Sequence, residues 1–300
     1  MISDKEHDTF MNEAMSTIGV GVACGTCGEL VQGCINNQNF MITFPIPLTA
    51  CAKAEFIRGG EILILPNYKH KAAKAAEMLL HSLKDLGIVD KELGVSVTIE
   101  TQLIEGKGMA SSTADIVAVC RAISHLCNYP IGPWEISNIC TSIEPSDGVM
   151  YQSVVVYDFF KGCLLEDIGP LMPMRLLIID NGEVVDTVSF KRIAYTADEM
   201  KKILGAYDLA TRGIKKQDIE LLGRAATISA HVNQRRHYKK ELNDIIAILP
   251  ELGAYGVSIA HSGSIFALLF AADEDMIQIE GAKNRISKMF PEATIKVIDI

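Results

Sequence analysis

The sequence predicts an α+β fold in two domains, and three observations carry that prediction. Val95, Val97 and Ile99 alternate with Ser96, Thr98 and Glu100, the period-two pattern of a half-buried strand. A glycine-rich loop then leads into Ile116, Val119, Cys120, Ile123, Leu126 and Cys127, which recur at helical spacing. Further on, Glu166-Asp167-Ile168-Gly169-Pro170-Leu171-Met172-Pro173 joins charge, glycine and two prolines between apolar runs. This punctuation predicts a domain boundary separating residues 16–165 from 172–300. Beyond it the order strand, helices, paired strands, helix, strand is the split βαβ arrangement of a ferredoxin-like domain carrying extra helices.

In chain order, the alternating Ile18, Val20 and Val22 predict a strand near 18–24, followed by strand character from 40 to 57 and a helix near 70–86. The strand at 95–101 and the helix at 111–128 flank the glycine loop. Pro133 suits a first helical turn, and Ile136, Ile139, Cys140 and Ile143 form one apolar stripe. Pro145 removes a backbone donor and drives Glu144 out of helical geometry, so that helix ends at Ile143. A strand near 153–158 closes the first half. The second half reads as a strand at Met174–Asp180, a helix-rich stretch from 197 to 249, and two strands flanking Ser262-Gly263-Ser264. A helix near 274–289 and a strand at Thr294–Asp299 complete it. No internal repeat or low-complexity segment interrupts this order.

Composition bounds the function. Three hundred residues at 49% hydrophobic can bury one large or two moderate cores. A net charge of -9 argues against nucleic acid as a partner, and Arg235-Arg236 with Lys239-Lys240 reads as a solvated helix face. No apolar run approaches the roughly 18 residues needed to span a bilayer, and the first fifteen residues are too charged for a secretory signal. A cytoplasmic protein without membrane contact, monomeric or homodimeric, is expected. Among eight cysteines, Cys24 and Cys27 have C-x-x-C spacing, but no second pair follows, and the reading is of small buried hydrophobes. His231 and His237 are off the spacing of a helical metal pair and read as surface residues, whereas His261 adjoins a glycine turn.

The chemistry concentrates in Gly106-Lys107-Gly108-Met109-Ala110-Ser111-Ser112-Thr113. Glycines there let backbone approach a ligand, and the N–H groups of the following helix start carry partial positive charge, which together make a phosphate cradle. The alternative is a plain strand-to-helix turn with a hydroxyl cap. The order is not that of a Walker loop, and the third glycine of a dinucleotide fingerprint falls on Ser111. A second constellation, Glu144-Pro145-Ser146-Asp147-Gly148, places two carboxylates around a helix end. Such a pair can divide the work of holding a cation and accepting a proton; the alternative is a solvated turn.

Gly106, Gly108, Ser111 and Ser112 resemble the second motif of the GHMP kinases, P-x-G-x-G-L-G-S-S, with Ile104 at the proline position and Ala110 at the glycine before the serines. Alanine there still permits a helix start. Cys24-Gly25-Thr26-Cys27-Gly28-Glu29-Leu30-Val31-Gln32-Gly33 resembles the first motif through Gly28 and Glu29, and Gly256 to Ser264 resembles the third through Ser262, Gly263 and Ser264. The compressed Glu144-to-Asp147 spacing is most similar to the L-threonine kinases of the cobalamin pathway within that superfamily. The resemblance implies a two-domain kinase whose N-terminal domain carries the phosphate loop. It would use ATP and Mg2+ to phosphorylate the side-chain hydroxyl of L-threonine for the aminopropanol linker of cobalamin. It also implies that amides from Gly106 to Ser112, Met109 and Ala110 included, cradle the triphosphate. Lys107 would add charge at the β or γ position, and Ser111 or Ser112 with Glu144 would hold Mg2+. Asp147 would orient or deprotonate the acceptor, and Glu29, with Gly28, Ser262 and Gly263, would face it, Glu29 as partner for the ammonium. Homoserine or another small alcohol as acceptor, or a non-catalytic nucleotide-binding homologue, are the competing expectations.

Overall fold

A computed structural model of the chain describes residues 17–182 and 193–300, so the reading of the first fifteen residues lies outside the described ones. Two four-stranded sheets precede the predicted boundary. The first contains β1 (Gly19–Gly25), β4 (Ile46–Arg58), β5 (Ile62–Leu65) and β6 (Leu93–Thr101) in the order β1-β4-β6-β5, with β5 and β6 parallel. The second contains β2 (Val31–Ile35), β3 (Gln38–Thr43), β7 (Val154–Asp158) and β8 (Cys163–Gly169), antiparallel throughout. Helices α1 (His70–Asp85), α2 (Ser111–Leu126) and α3 (Pro133–Ile143) accompany them. Almost every residue of α2 is buried, which makes it the axis of this half.

The third sheet contains β9 (Met174–Asp180), β10 (Gly256–Ile259), β11 (Ile265–Ala271) and β12 (Thr294–Asp299) in the order β10-β11-β9-β12. That order, all antiparallel, is the ferredoxin-like one expected from the element sequence. Helices α4 (Ala197–Lys216), α5 (Ile219–Asn233), α6 (Leu242–Leu252) and α7 (Met276–Met289) belong to the same half. Both faces of this sheet are covered. Leu176 and Ile178 of β9 point into the large core shared with α4, α5 and the first half, while Leu177 and Ile179 point into a second core with α6 and α7. Strand alternation thus binds the two halves through one continuous core.

Several elements differ from the sequence expectation. Strand character at 40–57 is interrupted at Phe44-Pro45, which separates β3 from β4. β2 was hidden because Gly33 breaks its pattern; it joins β3 through Asn36 and Asn37, both in the left-handed region, the geometry of a two-residue hairpin. β5 and β8 were also unforeseen, and β8 runs to Gly169, so the chain leaves the second sheet only at Pro170. In β1 the period is as read but the buried face is the opposite one. Ile18, Val20 and Val22 are more than 40% exposed, because Gly19 and Gly21 face α2. A Cβ on Gly19 would lie 2.1 Å from the Ala122 carbonyl, and one on Gly21 2.1 Å from that of Ala118. Only glycine permits so close a helix-to-strand approach. Among the described residues no helix is long and apolar enough to cross a membrane.

The basic run at 235–240 is not a solvated helix face. α5 stops at Asn233, and Arg236 stacks 3.5 Å over the Tyr195 ring while pairing with Glu199 at 2.8 Å. Lys239 is buried and donates to the Gly263 carbonyl. Counting charge alone missed this, since a guanidinium stacks well on an aromatic face and an ammonium finds carbonyls. His231 is exposed as expected, but His237 is buried. The eight cysteines are free, and burial pushes the Cys27, Cys120 and Cys127 thiols up, as expected of small hydrophobes.

Candidate active site

All three glycine-bearing motifs meet at one place. β6 ends at Thr101, the loop spans 102–110, and α2 begins at Ser111 with no side-chain cap, leaving its first N–H groups directed outward. Gly106 and Gly108 have φ of +71° and +86°. Ala110, at φ +55°, is also left-handed, so the position where the family pattern has glycine is strained for alanine, not merely a permissive helix start. The glycine turn between β10 and β11 presses on this loop. A Cβ on Gly108 would lie 2.2 Å from both Ala260 Cβ and the Ser262 carbonyl oxygen, and one on Gly263 2.1 Å from the Lys107 carbonyl carbon. The first motif joins by main chain, with Thr26 N–H donating to Met109 O at 3.2 Å and Glu29 N–H to Ile259 O at 3.0 Å. Gly28, at φ +73°, lies so close to Ile259 that a Cβ would fall 2.7 Å from its carbonyl carbon.

On one side of the loop a pocket of about 290 Å³ is lined by Tyr68, Lys69, Glu105, Gly106, Ser112 and Asp115, with Ser111 beside them. Lys69 is buried between Asp115 and Glu105, each 2.5 Å from its Nζ. Burial opposes its charge, but the two carboxylates outweigh that and raise its pKa, so the ammonium persists. Burial raises the Asp115 carboxyl more than Lys69 lowers it, and we take the ion pair as intact because the contact is short. Asp115 Oδ1 has no partner. Lys69, Lys71 and Asp115 were not singled out from sequence. A signal existed: Lys69, His70 and Lys71 open α1, whose first turn holds no acid, against the preference of a helix dipole.

On the other side of Ser112 lies the acidic constellation. α3 ends at Ile143, and Glu144 after it is fully extended at φ -159°, as Pro145 requires. Ser112 Oγ donates to Glu144 Oε1, and Lys71 pairs with Glu144 Oε2. Ser112 and Glu144 are thus brought together as expected, whereas Ser111 is buried and shows no bond to Glu144. A hydroxyl and a carboxylate beside a helix N-terminus are hard oxygen donors that fit Mg2+, and the Lys71 ammonium shows that the position accepts a cation. Ser146 is buried, its N–H on Phe159 O at 3.0 Å, which fixes the loop carrying Asp147.

The Asp147 and Glu29 carboxyls are neighbours, each perturbing the other's titration. Glu29 is 3% exposed and also accepts from Thr43 Oγ1 at 3.1 Å. Burial, then the Asp147 charge, push Glu29 well above the carboxylate range. Asp147 is raised to about 6, chiefly by burial and by Glu144, with the Glu29 bond pulling the other way. The two carboxyls therefore titrate as a coupled pair, each held above the ordinary carboxylate range. Glu29, expected as partner for a substrate ammonium, is held by Thr43 beside Asp147. Lys107 is paired within the structure. Its Nζ lies 3.1 Å from Asp180 Oδ1, which also accepts from Ser264 Oγ at 2.7 Å. Burial would raise Asp180, but Ser264, the Gly182 amide and Lys107 together lower it, so the Lys107 charge is offset by a carboxylate. The Met109 side chain is turned into the core, leaving only its backbone at the loop.

These arrangements have relatives. The family model described as GHMP kinases N terminal domain matches residues 70–158, and that described as GHMP kinases C terminal matches 210–291. An L-threonine kinase of Citrobacter freundii is 24% identical over 273 residues, 89% of this chain and 92% of that protein. One of Salmonella typhimurium is 24% identical over 285 residues, 92% of this chain and 91% of the relative. Among solved structures, a homoserine kinase from Cytophaga hutchinsonii superposes with a TM-score of 0.71 at 17% identity, covering 95% of each chain. The Methanococcus jannaschii mevalonate kinase gives 0.65 at 13%, covering 96% of this chain and 98% of that one. Two family models in order along the chain, on a ferredoxin-like second half locked to a glycine loop, show that this protein belongs to the GHMP kinases, two-domain small-molecule kinases that use ATP.

Proposed function

We propose that this chain transfers the γ-phosphoryl group of ATP to the side-chain hydroxyl of L-threonine, giving O-phospho-L-threonine and ADP for the aminopropanol linker of cobalamin. The observation that carries the reading is the Glu29–Asp147 pair one loop away from Ser112 and Glu144. It supplies a carboxylate of near-neutral pKa beside a cation site and a helix N-terminus. The two L-threonine kinases similar over about nine-tenths of their length support the acceptor.

Phosphoryl transfer needs positioning and charge neutralisation more than covalent help. Amides from Gly106 to Ser112 and the α2 N-terminus would take the phosphates, which enter through the pocket walled by Lys69. Ser112 and Glu144 would hold Mg2+, displacing Lys71; bound there, the ion supplies charge neutralisation to the phosphates. Asp147, ionised at neutral pH, accepts the acceptor's hydroxyl proton at a carboxylate oxygen. The reading is tested by ADP release with ATP and Mg2+ on L-threonine, L-serine, L-homoserine and no acceptor. Selective turnover of L-threonine is expected; turnover of another alcohol alone would keep the kinase and discard this acceptor. The likeness to a homoserine kinase structure makes L-homoserine the second reading. The same expectation places the protein in the cytoplasm, as a monomer or homodimer.

A further inference from the structure

Behind the third glycine turn, side chains from three segments meet in a polar cluster that the phosphoryl-transfer machinery does not use. Gln32 is pinned by α5, its N–H on Ser229 Oγ and its carbonyl on Asn233 Nδ2, both at 3.0 Å. The residue is 2% exposed, with Oε1 on His261 Nδ1 and Nε2 without a partner. A buried amide left with an unused donor is rare in a native fold and points to a missing acceptor. The His261 ring lies 4.4 Å from that of His237, and Lys239 donates to the Gly263 carbonyl beside them.

Cations stand close to the two rings. Burial, then the nearby Lys239 charge, hold His261 down at about 4; burial, His261, Lys239 and Arg236 hold His237 down at about 2. Among the described residues, Lys239 and Arg236 are the charged side chains that perturb the two rings. The cluster is tied to the segments that carry the acid pair. His261 stacks 4.9 Å from Phe159, whose carbonyl anchors Ser146 next to Asp147, and the segment 259–261 contacts both Glu29 and Gln32.

We infer that Gln32 Nε2, backed by Lys239 and the two imidazoles, binds the carboxylate of the acceptor, so that this kinase is built for a hydroxy or amino acid and not for a neutral alcohol. The inference rests on the kinase reading, but not on threonine as such. A neutral acceptor would leave the buried donor unsatisfied, and a site made to hydrogen-bond one group discriminates strongly against analogues lacking it.

The test compares L-threonine with L-threoninamide, and L-homoserine with its amide, in two measurements on the full chain. In turnover, each acid is expected to exceed its amide in kcat/KM by about 100-fold, shrinking below about tenfold in Gln32→Glu. The KM for ATP should stay unchanged, and a thermal melt should report the variant as folded. In histidine-labelled protein, the carboxylate is expected to shift the His237 and His261 ring resonances and raise the pKa of His261. The amides and inorganic phosphate should do neither. An amide turned over as well as its acid, or rings indifferent to every carboxylate, would overturn the inference while leaving the kinase intact. If L-threonine is not phosphorylated yet L-homoserine shifts the rings and its amide does not, the acceptor reading falls and the carboxylate site stands.

Discussion

Replacing Gly108 by alanine tests whether the phosphate loop and the third glycine turn are one assembly. At φ +86°, the left-handed backbone alone costs an alanine about 1 to 2 kcal/mol. Its Cβ would also stand 2.2 Å from Ala260 Cβ and from the Ser262 carbonyl oxygen. Ala260 is buried and the Ser262 main chain is part of the same turn, so the backbone must move, a strain of about 1 to 3 kcal/mol. The expected loss is therefore about 2 to 5 kcal/mol. Gly106→Ala is the internal control, since φ there is +71° but no atom lies within 4 Å of the added methyl. Only the backbone penalty of about 1 to 2 kcal/mol remains. Urea unfolding of both variants, with the KM for ATP measured alongside, reads the difference. Gly108→Ala should be clearly the less stable, while Gly106→Ala, whose residue lines the pocket, should alter ATP binding at smaller loss of stability. Equal stabilities would refute the close approach of residues 260–263 to the loop.

Asp147→Asn should lose most turnover while ATP binding persists, and unchanged activity would remove Asp147 from the mechanism. Because its carboxyl titrates near 6 and must be ionised to accept a proton, kcat/KM of the parent should fall about tenfold per unit below pH 6; a flat profile through pH 5 counts against this role. The stability sign runs oppositely, since a carboxyl raised on folding favours the fold while protonated and opposes it once ionised. Asp147→Asn should therefore be the more stable protein at pH 8, by about 1 to 2 kcal/mol, an advantage absent below pH 4 in a melt series. Lys69→Met leaves the buried Asp115 without its ammonium and should destabilise by about 3 to 5 kcal/mol in urea, with rescue when Lys69→Met is combined with Asp115→Leu. Ala110→Gly relieves a left-handed alanine and should stabilise by about 0.5 to 1 kcal/mol; a loss would show that Ala110 does not hold φ +55°.

Local signals were legible where one residue type forces one geometry. Pro145 ended α3 at Ile143, and the period-two pattern before Gly106 and the helical one after Ser111 produced β6 and α2. The boundaries of β9 and β12 were read as found, because apolar runs there are bracketed by polar turns. What failed was anything that depends on a neighbour distant in sequence. The faces of β1 were inverted because glycine, not valine, admits the α2 backbone, and sequence periodicity ranks faces by hydrophobicity alone. Lys239 and Arg236 were placed in solvent because their partners, Gly263, Tyr195 and Glu199, are 24 to 41 residues away in the chain.

The sequence by itself determined the chemical parts: a glycine loop opening a helix, two carboxylates around a proline, and the element order of a ferredoxin-like second half. Each is local, set by backbone dihedrals and side-chain alternation over a few residues. Only the tertiary structure decided how the parts are charged and whom they face. Glu29 and Asp147, 118 residues apart, perturb each other's titration because folding brings them together. Lys107 meets Asp180 because the two halves close on each other at the glycine turn. Burial and charge proximity set those protonation states, and neither quantity exists until the chain has folded.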